Sequence, residues 1–327
     1  MVGISEVRTQ LKDLSRYGSG LVGVFVGGTS GIGETTAREF VRYTTKPHVY
    51  VVGRSQEAAD RLIPEFKSLN ADSNIEFIKS DVSLLRNVDD VCKQLIAKED
   101  KINLLCLSAG FFTFQGRQET NEGLDSKLSL HYYSRMRFIQ QLLPQLAKAA
   151  ETPAEGGKQP MSRVISVLGA GLEKQIDLSD FDLKKNYSLA RCANHAQTGT
   201  TLAMHVLSSQ PEAKGVTLIH SAPGGVNTNI GKRAPGLAGI VLRTAASVLP
   251  ILMPSIMVPI VDSGERHMYA ATNDEWGNGG VVLLNQKSDV IPNNGALKEL
   301  LKNKTEVKVW EHTQEVFKKI CDEGGKF

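Results

Sequence analysis

The 327-residue chain is poor in cysteine, and its four, Cys92, Cys106, Cys192 and Cys321, stand far apart. None forms a C-x-x-C pair or matches Cys/His zinc spacing, which argues against a zinc module or a secreted disulfide framework and for a reducing compartment, with no metal expected. Excess charge is lacking too: 38 Lys and Arg against 35 Asp and Glu leave a formal +3 spread along the chain. Without a concentrated basic face, nucleic acid is not an expected partner. The amino terminus, MVGISEVRTQLKDLSRYG, has no apolar stretch long enough for a signal peptide. It reads as a short amphipathic lead-in helix, and a cytoplasmic location is expected. A charge-free stretch, Thr244 to Val261, reaches 18 residues, but Pro250, Pro254 and Pro259 interrupt it. Each proline costs a helix interior about 3 kcal/mol, so no transmembrane helix is expected. The segment 236–261 reads instead as a pair of short apolar helices over the strand ends, part of a substrate lid over residues 231–262.

What is present is a 41% hydrophobic, 22% charged composition that suits one globular domain with a buried sheet. Apolar runs at Leu21–Val26, Val49–Val52, Ile75–Ile78, Ile102–Leu107, Arg163–Val167 and Val216–His220 alternate with helical spacing. Helices are expected after Gly33 and over Ala58–Leu69, Val88–Ala97, Leu124–Lys148 with an interruption at Pro144, and Leu189–Ser209. This alternation predicts an α/β fold, a Rossmann-type doubly wound parallel sheet covered on both faces. Residues 151–160 read as a surface loop, and 296–327 as an added helical extension.

Chemistry concentrates at strand ends. Gly27, Gly28, Thr29, Ser30, Gly31, Ile32 and Gly33 lie between the first strand and first helix. Glycines there allow a tight turn and a close backbone approach to a pyrophosphate, and the helix start supplies free N–H groups. Gly53-Arg54-Ser55 ends the second strand. A guanidinium at that place pairs with a ribose 2′-phosphate, which predicts NADP(H) over NAD(H).

These residues and several further on resemble the short-chain dehydrogenase/reductase family over about residues 20–290. Asp81-Val82 matches the family's adenine-contacting pair, and Leu107-Ser108-Ala109-Gly110 its N-N-A-G element with serine for the second asparagine. Pro223-Gly224-Gly225-Val226-Asn227-Thr228 matches P-G-x-V-x-T. The resemblance implies that Pro223, Gly224, Val226 and Thr228 bind the cofactor, with Val226 and Thr228 covering the nicotinamide carboxamide.

The catalytic centre departs from the family. Gly169 stands where its serine aligns, with Ser166 three residues too early, and no tyrosine has a lysine four residues later. Tyr187 with Arg191 is the nearest match to Y-x-x-x-K, and His131 aligns with the family's helix asparagine. Tyr187 and Arg191 share a helix face if the helix includes both, so Arg191 is expected at the nicotinamide ribose, lowering the phenol pKa without shuttling a proton. His131 is a candidate general acid because an unperturbed imidazole titrates near neutrality. His195 is a weaker candidate.

Three functions stay open. The first is an NADPH-dependent reductase of a carbonyl or conjugated alkene in a bulky hydrophobic molecule. The wording of His131 to Leu146 resembles reductases of fungal secondary metabolism. The others are a redox-neutral cyclase or isomerase on the same scaffold, and a non-enzymatic NADP(H)-binding protein. Oligomeric state is left open, a homo-oligomer included.

Overall fold

In the computed structural model, residues 2–153, 160–226 and 257–327 are described. Seven parallel strands form one sheet in the order β3-β2-β1-β4-β5-β6-β9. They are β1 (Val22–Val26), β2 (His48–Gly53), β3 (Asn74–Lys79), β4 (Leu104–Leu107), β5 (Arg163–Val167), β6 (Thr217–Ser221) and β9 (Gly280–Leu284). Two short strands, β7 (Gly225–Val226) and β8 (Met257–Val258), pair parallel outside it.

β1 is buried along its whole length and serves both faces of the sheet. Val22, Val24 and Val26 join Tyr50, Val52, Val88 and Phe138 on one side; Phe25 joins Val49, Val51, Phe40 and Met268 on the other. That two-sided burial explains continuous apolar strands rather than alternating ones. The order reverses between β1 and β4, which opens a crevice at their carboxyl ends.

The expected six strands are present with ends moved by a residue or two, and β9 is a seventh that the sequence reading lacked. Only four apolar residues follow Gly279 and Gly280, which sit at φ 88° and 93°, so the run is too short to signal a strand by itself. The lead-in helix is α1 (Ile4–Leu11), followed by α2 (Gly31–Tyr43), α3 (Gln56–Leu69) and α4 (Leu85–Lys98). The long helix expected over 124–148 is α5 (Ser126–Leu128), a π-helical turn (Ser129–Tyr133) and α6 (Ser134–Glu151). Pro144 lies inside α6; burial of Leu142, Leu143, Leu146 and Ala149 outweighs the lost backbone bond. α7 (Leu189–Ser208) and α8 (Ile260–Thr272) follow. The extension is two helices, α9 (Gly295–Lys302) and α10 (Thr305–Phe317), separated at Lys304, whose φ is 52°. Most of the expected lid, 231–256, and Thr228 lie outside the described residues. Among the described residues no helix is long and apolar enough to cross a membrane.

Candidate active site

The glycine loop closes the amino-terminal side of the crevice. Gly27 holds φ 85° and donates to the Val52 carbonyl at 2.9 Å. A Cβ on it would meet Ala109 N at 2.5 Å, and one on Gly33 would meet Ser108 Oγ at 2.2 Å. Small residues thus let the loop press against the chain leaving β4. Ser108 completes that contact by donating through Oγ to the Val26 carbonyl at 3.1 Å. Ser30 begins α2 without a side-chain capping bond, which leaves first-turn N–H groups for an external anion. Glu34, the acid in that turn, is held by Arg38 and Arg61 at 3.0 Å each, so it opposes an anion less.

At the far end of the crevice, Arg54 follows β2 and is exposed. Its guanidinium has no hydrogen-bond or ion-pair partner among the described residues. Thr29 packs against Gly53, where a Cβ would come 2.7 Å from its methyl group. Ser55 Oγ caps α3 by accepting from Ala58 N at 3.1 Å. Asp81 accepts from Ser83 N and Oγ at 3.1 and 2.8 Å through one carboxylate oxygen, and Val82 is buried in the core. An uncapped helix start with a free guanidinium at the neighbouring strand end fits a dinucleotide bearing a 2′-phosphate.

His131 lies on the π-helical turn, a helix defect common at functional positions. Its Nε2 accepts from Phe111 N at 3.3 Å and lies 3.1 Å from where a Gly110 Cβ would be. That bond places the ring proton on Nδ1. Burial first, then Arg135 and Lys127, push the imidazole down to about 3. Both effects favour the neutral ring over the charged imidazolium. The extension anchors the turn from behind. Tyr132 and Thr313 share a hydroxyl bond at 2.6 Å, and Tyr133 donates to Asp182, which also pairs with His312 at 2.9 Å.

On the other wall, a Cβ at Gly169 would meet Gln197 Nε2 at 2.5 Å, so α7 fills the place of the missing serine. Gly169 N donates to His220 Nε2 at 3.2 Å, His220 Nδ1 bonds Thr201 Oγ1 at 2.8 Å, and Thr201 donates to Glu173 at 2.8 Å. This chain is buried throughout.

Tyr187 precedes Ser188, the N-cap of α7. Its hydroxyl is buried against the Cys192 thiol, and Lys127 Nζ lies 5.3 Å from the ring centroid. Burial, then Cys192 and Asp125, push the phenol well up, so it stays protonated. Arg191 turns away to Asp177 at 3.0 Å, and the expected pairing of Arg191 with Tyr187 is not among the contacts. Residue 187 precedes the helix, so helical spacing does not apply to the pair. His195 bonds the Phe181 carbonyl through Nδ1 at 3.0 Å and accepts from Asp177 N at 3.3 Å, which makes it a satisfied structural histidine. Pro223 and Gly224 turn the chain, with Gly224 at φ 71°, into Val226 of β7. Arg135, missed in the sequence, bridges the Ala109 carbonyl to Ser166 and Val167 at 2.8 Å each. Its signal was the four-residue spacing of Lys127, His131 and Arg135, which puts them on one helix face.

Comparison with known proteins agrees with this geometry. The short chain dehydrogenase family model matches residues 22–235. The oxidoreductase AN1596 of Emericella nidulans is 36% identical, with 90% of this chain and 92% of that protein covered. The oxidoreductase lepF of Aspergillus flavus is 31% identical over 99% of each. The crystal structure of NADPH bound carbonyl reductase from chicken fatty liver superposes with a TM-score of 0.57 at 16% identity, covering 84% of this chain and 99% of that one. With the crevice, the glycine loop and these relatives in agreement, the chain belongs to the short-chain dehydrogenase family.

Proposed function

We propose that the chain is an NADPH-dependent reductase acting on a carbonyl or conjugated alkene of a bulky hydrophobic small molecule, in secondary metabolism. The observation that carries the cofactor choice is the free Arg54 guanidinium beside the uncapped start of α2. The carbonyl reductase with the same fold is described as NADPH bound, and the fungal relatives are described as oxidoreductases; both support this reading. Exposed Phe112, Phe114, Leu172 and Leu178 on the loops after β4 and β5 give the site an apolar rim, which supports a hydrophobic substrate.

When bound, the reduced nicotinamide supplies a hydride. The protein's part is to hold a proton donor against the substrate oxygen as negative charge develops. Neutral His131 offers Nδ1–H, a donor that polarises a carbonyl without giving up its proton. Tyr187, whose phenol is held protonated by burial, is the residue assigned to deliver the proton. The place where the family's serine would stand is closed by Gln197, and that observation favours one alternative, a redox-neutral cyclisation or isomerisation. Absorbance at 340 nm with hydrophobic ketones and enones separates the two. Stoichiometric NADPH loss supports reduction; product without NADPH loss supports the alternative.

A further inference from the structure

Three basic side chains at four-residue spacing line the chain that leaves β4. Lys127 donates to the carbonyls of Gln115 and Gly116 at 3.3 and 3.4 Å, His131 accepts from Phe111 N, and Arg135 donates to the Ala109 carbonyl. Arg135 reaches furthest inward and is 3% exposed. Its three acceptors, the Ala109 and Val167 carbonyls and Ser166 Oγ, are all neutral, and its Nε has no partner. No carboxylate pairs with it among the described residues. That is unusual, because a buried charge without a counter-charge is costly.

Burial pulls the guanidinium down to about 10, which leaves it charged at neutral pH. Its field is felt on both walls of the crevice: it disfavours protonation of His131 and of His220. Arg191, the cation expected from α7, is instead neutralised by Asp177. Arg135 is therefore the buried cation that α6 brings to the carboxyl ends of β4 and β5, while the buried carboxylate on the β5 side, Glu173, is engaged by Gly171 N and Thr201 rather than by Arg135.

We propose that Arg135 is the fixed cation that makes this site discriminate against the oxidised, positively charged nicotinamide and favour the reduced, neutral one. The inference rests on the NADP(H) reading above. It goes beyond that reading by fixing which redox form the apoprotein selects. At an effective dielectric near 20, unit charges roughly 10 Å apart change an equilibrium constant by about tenfold.

The test is the ratio of the NADP+ and NADPH dissociation constants, from NADPH fluorescence titration and competition by NADP+ at constant pH and salt. Four proteins are compared: wild type, Arg135→Lys, Arg135→Met and Ser166→Asp. The wild-type ratio is expected at about ten or more, retained within about threefold in Arg135→Lys and falling towards one in Arg135→Met. Ser166→Asp places a carboxylate against Arg135 without removing it and is expected to lower the ratio likewise, so the idea stays testable if Arg135→Met does not fold. A wild type that binds both forms alike, or a folded Arg135→Met or Ser166→Asp with the wild-type ratio, overturns the inference alone. No binding of either form overturns the cofactor reading, and this inference with it.

Discussion

The backbone N–H of Phe111 donates to Nε2 of His131 at 3.3 Å, and that one bond fixes what the imidazole can do. With Nε2 occupied and protonation disfavoured down to about 3, only a neutral ring with a proton on Nδ1 is available. Turnover should therefore show no ionisation of His131 between pH 6 and 8. His131→Asn keeps a side-chain donor and is expected to retain activity within about tenfold, whereas His131→Leu should lose about 100-fold or more. Steady-state rates across that pH range check this; a wild-type inflection near 6.5 that vanishes in His131→Asn would contradict it.

Gly169 and Gln197 test why the family's serine is absent. Gly169→Ser brings its Cβ against the far end of the flexible, half-buried Gln197 side chain and is expected to cost about 1 kcal/mol of stability, the low end for overpacking. Adding Gln197→Ala should recover part of that loss, because the two positions share the same space. Urea denaturation of the two single variants and the double variant measures the coupling, and additive losses would argue against it.

Buried histidines set the acid limit of stability. His220 and His267 are 0% and 4% exposed, and burial pushes them down to about 3 and about 4. The unfolded chain protonates them near 6.5 while the folded chain does not, so the stability they contribute is complete above 6.5 and is lost as pH falls towards 4. With His131, which burial pushes down to about 3 as well, the unfolding free energy should drop by on the order of 4 kcal/mol per pH unit between about 6 and 4.5, about 1.4 for each of the three histidines. Chemical denaturation at several pH values reads that slope, and a flat profile would show that the folded protein protonates all three rings.

The strands and the glycine loop were legible because burial on both faces and the demands of a tight turn leave a local imprint. What was missed depends on contacts distant in sequence. Nothing near Arg191 marks Asp177 as its partner, since residues 14 apart meet only when the loop before α7 folds back. His131 lies beside the chain leaving β4, yet its protonation follows from burial and from Arg135 and Lys127 one turn away on either side, a cost that residue type alone does not reveal. β9 was hidden by two glycines at its start. The π-helical turn has Tyr132 and Tyr133 held by Asp182 and, from the far end of the chain, by Thr313 and His312.

The most direct test of the central claim is the affinity of the wild-type protein and Arg54→Asp for NADPH and NADH, by fluorescence titration at fixed salt. Wild type should bind NADPH at least about tenfold more tightly than NADH, and Arg54→Asp should lose that preference, since a charge-assisted bond contributes roughly 1.5–3 kcal/mol. Equal binding of the two nucleotides by wild type, or an unchanged NADPH affinity in Arg54→Asp, would contradict the assignment.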